Sequence, residues 1–93
     1  MKAHELLDSP EKWTQGARAK DEHDAHVEAR SPVATKWCCL GAIEKVSRSK
    51  KRFEAARLKL LAVLGAWEFV SVFNDDPART FEEVRAALLK ADV

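Results

Sequence analysis

The side chains with chemical potential fall into four groups. Cys38 follows Trp37, and a thiol at the start of a helix is the arrangement of a cysteine nucleophile, because the helix dipole favours the thiolate. The helix here is expected to open near Pro32, which sets Cys38 nearly two turns inside it. His4, His23 and His26 all precede the cysteine, the wrong chain order for a papain-like enzyme, although order alone does not exclude a triad. A small buried core thiol is the plainer reading. The run Asp21-Glu22-His23-Asp24-Ala25-His26 offers His23 and His26 as metal ligands at i,i+3 spacing. No second ligand pair stands at a diagnostic distance, so a solvated loop is the plainer reading. No metal and no cofactor is expected.

Arg48-Ser49-Lys50-Lys51-Arg52 is the sharpest charge feature, extended by Lys45, Arg57 and Lys59. Such a patch suits phosphates or an acidic protein surface. No aromatic residue interleaves with these cations, as base stacking would require. The alternative is a solvated helix–helix junction in which Lys45 and Arg48 complement the negative end of the preceding helix. Gln15, Asn74 and Asp75 border the aromatic residues Trp13 and Phe73 and are expected to lie near one another. With Cys38 they make a candidate ligand site. Equally, they are suited to locking backbone groups that would otherwise be buried without partners.

The elements that must position these groups read as helical. Gly, Pro and β-branched residues are scarce beside Ala, Leu, Lys, Arg and Glu, and Tyr is absent, a palette of helices. A short helix spans Met1 to Asp8, and Ser9-Pro10 is a cap followed by a helix-start proline. Residues 17–31 are polar without sustained periodicity and read as a long ordered loop, with a small hairpin possible around His23-Asp24. Ser31-Pro32 repeats the start signal and opens a second helix running to about Ser47. That helix is apolar nearly all round and therefore central, with Trp37 and Leu40 buried. A third helix runs from about Lys50 to at least Ala66, with Phe53, Ala56, Leu60, Val63, Leu64 and Trp67 on one face. Glu68 to Phe73 continues it or forms a separate element, although Phe69, Val70, Val72 and Phe73 would also suit a strand. Asn74-Asp75-Asp76-Pro77 reads as a turn, and Thr80 with Glu83 forms a capping box for a last helix to about Ala91. The expectation is an all-α domain over residues 1–93: a small bundle of three main helices plus a short N-terminal one, with an ordered loop at about 14–31.

The net charge of +1 is not the global basicity of a dedicated DNA-binding domain. No stretch approaches the ~18 apolar residues that span a bilayer, and the first ten residues lack a signal-peptide core. No membrane contact and a cytoplasmic location are therefore expected. Cys38 and Cys39 are adjacent and cannot staple distant parts of a fold.

The order of landmarks resembles a family of short bacterial and phage proteins known only as a domain of unknown function. Its pattern here reads Leu6-Leu7, Trp13-Thr14-Gln15-Gly16, Trp37-Cys38-Cys39-Leu40-Gly41-Ala42, Asn74-Asp75, then Thr80 through Leu89. Members often carry a glycine turn near Asp24-Ala25, and this chain has no glycine within residues 17–40 up to Gly41. The resemblance implies a fold and a set of landmarks, and no reaction.

The first expectation for function is a non-catalytic binding or regulatory module that works through a protein contact or self-association. It follows from small size, a charge dipole between the acidic loop and the basic junction, and the lack of a complete catalytic set. The rivals are a small enzyme or ligand-binding domain using Gln15, Cys38, Asn74 and Asp75, and a nucleic-acid binder using Arg48, Lys50, Lys51 and Arg52.

Overall fold

A computed structural model describes residues 1–65 and 69–93. The chain begins with a single helical turn, α1 (Ala3–Leu6). Four residues are far too few to hold a helix by propensity alone. Tertiary bonds hold it instead: His4 N donates to Val93 O at 3.1 Å and Arg85 Nε donates to Leu7 O at 3.2 Å. Both ends of the chain are thereby tied together, with Ala3 and Leu7 fully buried. Ser9-Pro10 then starts a 3₁₀ turn over Pro10–Lys12.

The domain is mixed α/β, not the expected all-α bundle. Strands β1 (Ala19–Lys20), β2 (His26–Val27) and β3 (Lys36–Trp37) form an antiparallel sheet in the order β2-β1-β3. Ala19 stands opposite both Val27 and Trp37, and Lys20 opposite both His26 and Lys36. Ala19, Val27 and Trp37 join the core while the other face carries the charged residues. This is period-two alternation, but over two residues per strand, too short to register as a pattern.

The hairpin around His23-Asp24 is present and joins β1 to β2. Asp24 takes a left-handed conformation, φ 63°, and Asp is among the few residues other than glycine that tolerate it. Its carboxylate pairs with Lys36 across the sheet.

The second helix also departs from expectation. Ser31-Pro32 makes a turn, with Ala34 N donating to Ser31 O at 3.1 Å, and Thr35 N then donates to Lys20 O at 2.9 Å. The chain is drawn into the sheet by a partner distant in sequence, overriding the local start signal. Helix α2 (Cys39–Val46) begins only after β3. It is central, meeting α1, α3, α4 and β3. Trp37 is buried, its indole donating to Ala29 O at 2.8 Å, whereas Leu40 is only partly buried.

Helix α3 (Lys50–Leu64) is capped by Ser49, whose Oγ accepts from Arg52 N at 3.1 Å. Leu60 is its fully buried residue, with Phe53, Ala56, Val63 and Leu64 packed around it. Trp67 and Glu68, assigned above to this face and its continuation, lie outside the described residues.

Residues 70–75 form a separate helix, α4 (Val70–Asp75), burying Val70, Phe73 and Asn74 at i, i+3, i+4. Asn74 and Asp75 therefore close a helix instead of forming the expected turn, which begins at Asp76. The predicted capping box opens α5 (Phe81–Ala91): Glu83 N donates to Thr80 Oγ1 at 3.2 Å and Thr80 N to Glu83 Oε1 at 2.9 Å. Val84, Leu88 and Ala91 point into the core.

Candidate functional site

Asn74 sits fully buried at the end of α4, where the 3₁₀ segment, the start of α2 and α4 converge. An asparagine amide has an oxygen that accepts and a nitrogen that donates twice. All of that capacity is used. Oδ1 accepts from the Trp13 indole at 2.7 Å and from Cys39 N at 3.0 Å. Nδ2 donates to Thr14 O at 3.0 Å and to Asp75 Oδ1 at 2.9 Å. Gln15 reinforces the junction by donating Nε2 to Asn74 O at 2.8 Å and Asp76 O at 2.9 Å. Gly16 N donates to Asp75 Oδ1 at 3.0 Å, and Gly16 has φ 82°, a conformation glycine adopts without steric cost.

Gln15, Asn74 and Asp75 are thus gathered into one network, as their aromatic neighbours suggested. Cys38 belongs to a neighbouring feature. It is the N-cap of α2, with Sγ accepting from Gly41 N at 3.2 Å, and does not lie two turns inside a helix. That position normally favours the thiolate. Here burial outweighs the Gly41 and Leu40 N–H groups and raises its pKa. Burial also raises the pKa of Cys39. Two free, buried, protonated thiols are poor nucleophiles.

Gly41 has a different constraint, a close approach. A Cβ there would stand 1.9 Å from Arg18 O, the carbonyl that accepts from Cys38 N at 3.2 Å. Helix α2 therefore lies directly on the edge of β1. The Trp-Thr-Gln-Gly, Cys-x-x-Gly and Asn-Asp landmarks are parts of this one joint between loop, helix and sheet.

The chain belongs to DUF6197, a family of unknown function. The DUF6197 model matches residues 1–92. No curated protein and no solved structure matches the chain. The residues of the joint carry the fold of this chain and leave its surface to be read separately.

Among the described residues, three of the surface clefts are formed by residues outside this joint. One lies beside Arg18, His26 and Glu44, and one beside Asp21, His23 and Val33. His23 and His26 are exposed on either side of the hairpin, and His23 Nε2 faces Glu22 Oε1 at 3.3 Å. No group of three metal-binding side chains converges among the described residues.

The third cleft is an apolar groove of about 380 Å³ between the N-terminal segment, α2, α3 and the last residues. Arg52 lines it, and Arg48, Lys50 and Lys51 continue outward, all exposed. Among the described residues none of these four side chains makes a hydrogen bond or ion pair.

The role suggested for Arg48, complementing the C-terminal end of α2, is filled by a residue that sequence reasoning missed. Arg30 reaches in from the loop, donating Nη2 to Ser47 O at 2.7 Å and Nε to Glu44 O at 3.2 Å. No local signal marks Arg30, because its targets are carbonyls of a distant helix. Lys50, Lys51 and Arg52 occupy the first turn of α3, which carries no acid. Each cation there opposes the helix dipole at a cost of roughly 0.3–1 kcal/mol. Three such choices in a row run against the stability of the fold, which is where function is to be sought.

Proposed function

We propose that this protein is a non-catalytic binding module that works through a protein–protein contact at the α2–α3 junction. The observation that carries this reading is the run Arg48, Lys50, Lys51 and Arg52, unpaired among the described residues, with its last three cations in a helix turn that disfavours them and bordering an apolar groove. Cations combined with apolar surface match a protein partner better than nucleic acid, whose backbone asks for charge alone. The rival enzymatic site at Gln15, Cys38, Asn74 and Asp75 is weakened because its polar groups are engaged in holding the loop to α4. A cytoplasmic location belongs to the same reading and agrees with two free buried thiols. No helix among the described residues is long and apolar enough to cross a membrane.

Site-specific photocross-linking tests the contact. A photoreactive residue replaces Lys51 in cells that express the protein, with the same replacement at Glu22 as a control. The expected result is a discrete protein adduct from position 51, a partner or a second copy, and none from position 22. Adducts that nuclease removes, or no adduct from position 51, would overturn the proposal.

A further inference from the structure

Resting on that reading, we propose that the groove takes a segment of the partner that is acidic and carries an apolar anchor side chain. The floor is made by Ala3, Ile43, Val46, Ala56 and Val93, of which Ala3 and Ile43 have no exposed surface. Ala55 and Ala56 on α3 are too small to fill the space above them. Met1 lies at the lip with an exposed side chain, an adaptable surface for an apolar group.

The rim is cationic. Lys2, Arg52 and Lys59 line it against one acid, Asp92, which pairs with Lys2. Lys59 Nζ lies 3.4 Å from Asp92 O, and the Arg52 side chain has no partner among the described residues. Arg48, Lys50 and Lys51 extend the positive charge away from the groove along the α2–α3 junction.

Two demands follow, and one occupant meets both. The floor calls for an apolar side chain, and the rim and junction call for carboxylates on either side of it. A peptide with Leu, Ile, Met or Phe flanked by Asp and Glu supplies these in one short stretch. Other anions fit less well. The groove is open to solvent, whereas small-molecule sites enclose most of their ligand. Nucleic acid offers phosphates and no aliphatic anchor. A membrane surface accepts an extended apolar face, and this concave groove presents Met1 at its lip with its other apolar residues recessed below the cationic rim.

Selection of displayed random 12-residue peptides on the immobilised full chain tests the inference, followed by fluorescence anisotropy with the selected peptides made synthetically. The expected consensus has at least one large apolar residue between acids. Binding should weaken about tenfold or more (1.4 kcal/mol or more) when Arg52→Glu and Lys59→Glu are combined, which reverses the rim. It should weaken similarly with Ala55→Trp, which fills the groove from an exposed position. Lys90→Glu, an exposed change on α5, should leave affinity within about twofold. Thermal melting of each variant guards against unfolding.

No enrichment, a consensus without acids, acidic peptides that bind equally well without an apolar residue, or insensitivity to Ala55→Trp would each overturn the groove assignment. The protein-contact reading falls separately, on the cross-linking from position 51.

Discussion

The joint around Asn74 and the junction around Lys51 are both rich in polar groups, and they differ in how those groups are used. At the joint, one amide meets four partners, and the neighbouring glutamine spans two carbonyls. No polar atom of the Asn74 amide is left over for a ligand. At the junction, four cations meet no partner among the described residues, three of them in a helix turn that works against them. Polar residues that satisfy buried groups are what folding requires. Polar residues left unsatisfied at the surface, against local preference, are available to something else. By this criterion the bonds of the Asn74 cluster are accounted for by the fold, and the charge run is what the proposed contact draws on.

The sharpest way to break the comparison is Asn74→Ala. It leaves the Trp13 indole, Cys39 N and Thr14 O without their partner in or near the core. At ~1–3 kcal/mol per orphaned group, the loss should be at least about 3 kcal/mol, a large part of the stability of a domain this size. Denaturant unfolding measures it. A variant as stable as the parent would show that the joint is not what holds the loop.

A second effect, intermediate in size, concerns the thiols at the start of α2. Both have raised pKa values in the folded state, so the unfolded chain gives up these protons first. Their contribution is fully present below the ordinary thiol pKa of 9.0 and is lost as pH rises above it. Each thiol should lower stability by at most about 1.4 kcal/mol per pH unit, for as long as pH lies between its unfolded and folded pKa. Urea midpoints from pH 8 to 10.5 should fall more steeply for the parent than for a Cys38→Ser, Cys39→Ser protein. Equal slopes would mean that the thiols are not sequestered.

The smallest effect should lie at the junction, and with the opposite sign. Lys50→Glu combined with Lys51→Glu places acids at the positive end of α3, and stability should rise by roughly 0.5–1 kcal/mol while the cross-link from position 51 is tested in a separate protein. A stability loss there would mean that the cations serve the fold after all.

Local signals were read well from the residues in order. Ser9-Pro10, the start of the third helix at Lys50, and the box of Thr80 and Glu83 all act over three or four residues of chain, and each begins an element where expected. The hairpin at Asp24 was legible for the same reason. The proximity of Gln15, Asn74 and Asp75 was legible too, since each flanks an aromatic residue bound for one core.

What the sequence hid is equally specific. The sheet went unseen because each strand has two residues, and Lys36-Trp37 was absorbed into a helix whose start signal at Ser31-Pro32 was locally sound. That misplacement put Cys38 inside a helix it actually caps, and made Leu40 a core residue when it is only partly buried.

By itself, then, the chain determined the starts of the 3₁₀ turn, α3 and α5 and its hairpin, all of which rest on interactions between near neighbours. The tertiary structure decided the rest: the sheet, the role of Arg30, the saturation of Asn74 and the isolation of the Arg48–Arg52 cations. The reason is physical. Whether a buried polar group is satisfied depends on donors and acceptors that arrive from distant parts of the chain, and those arrive only when the whole domain has closed around it.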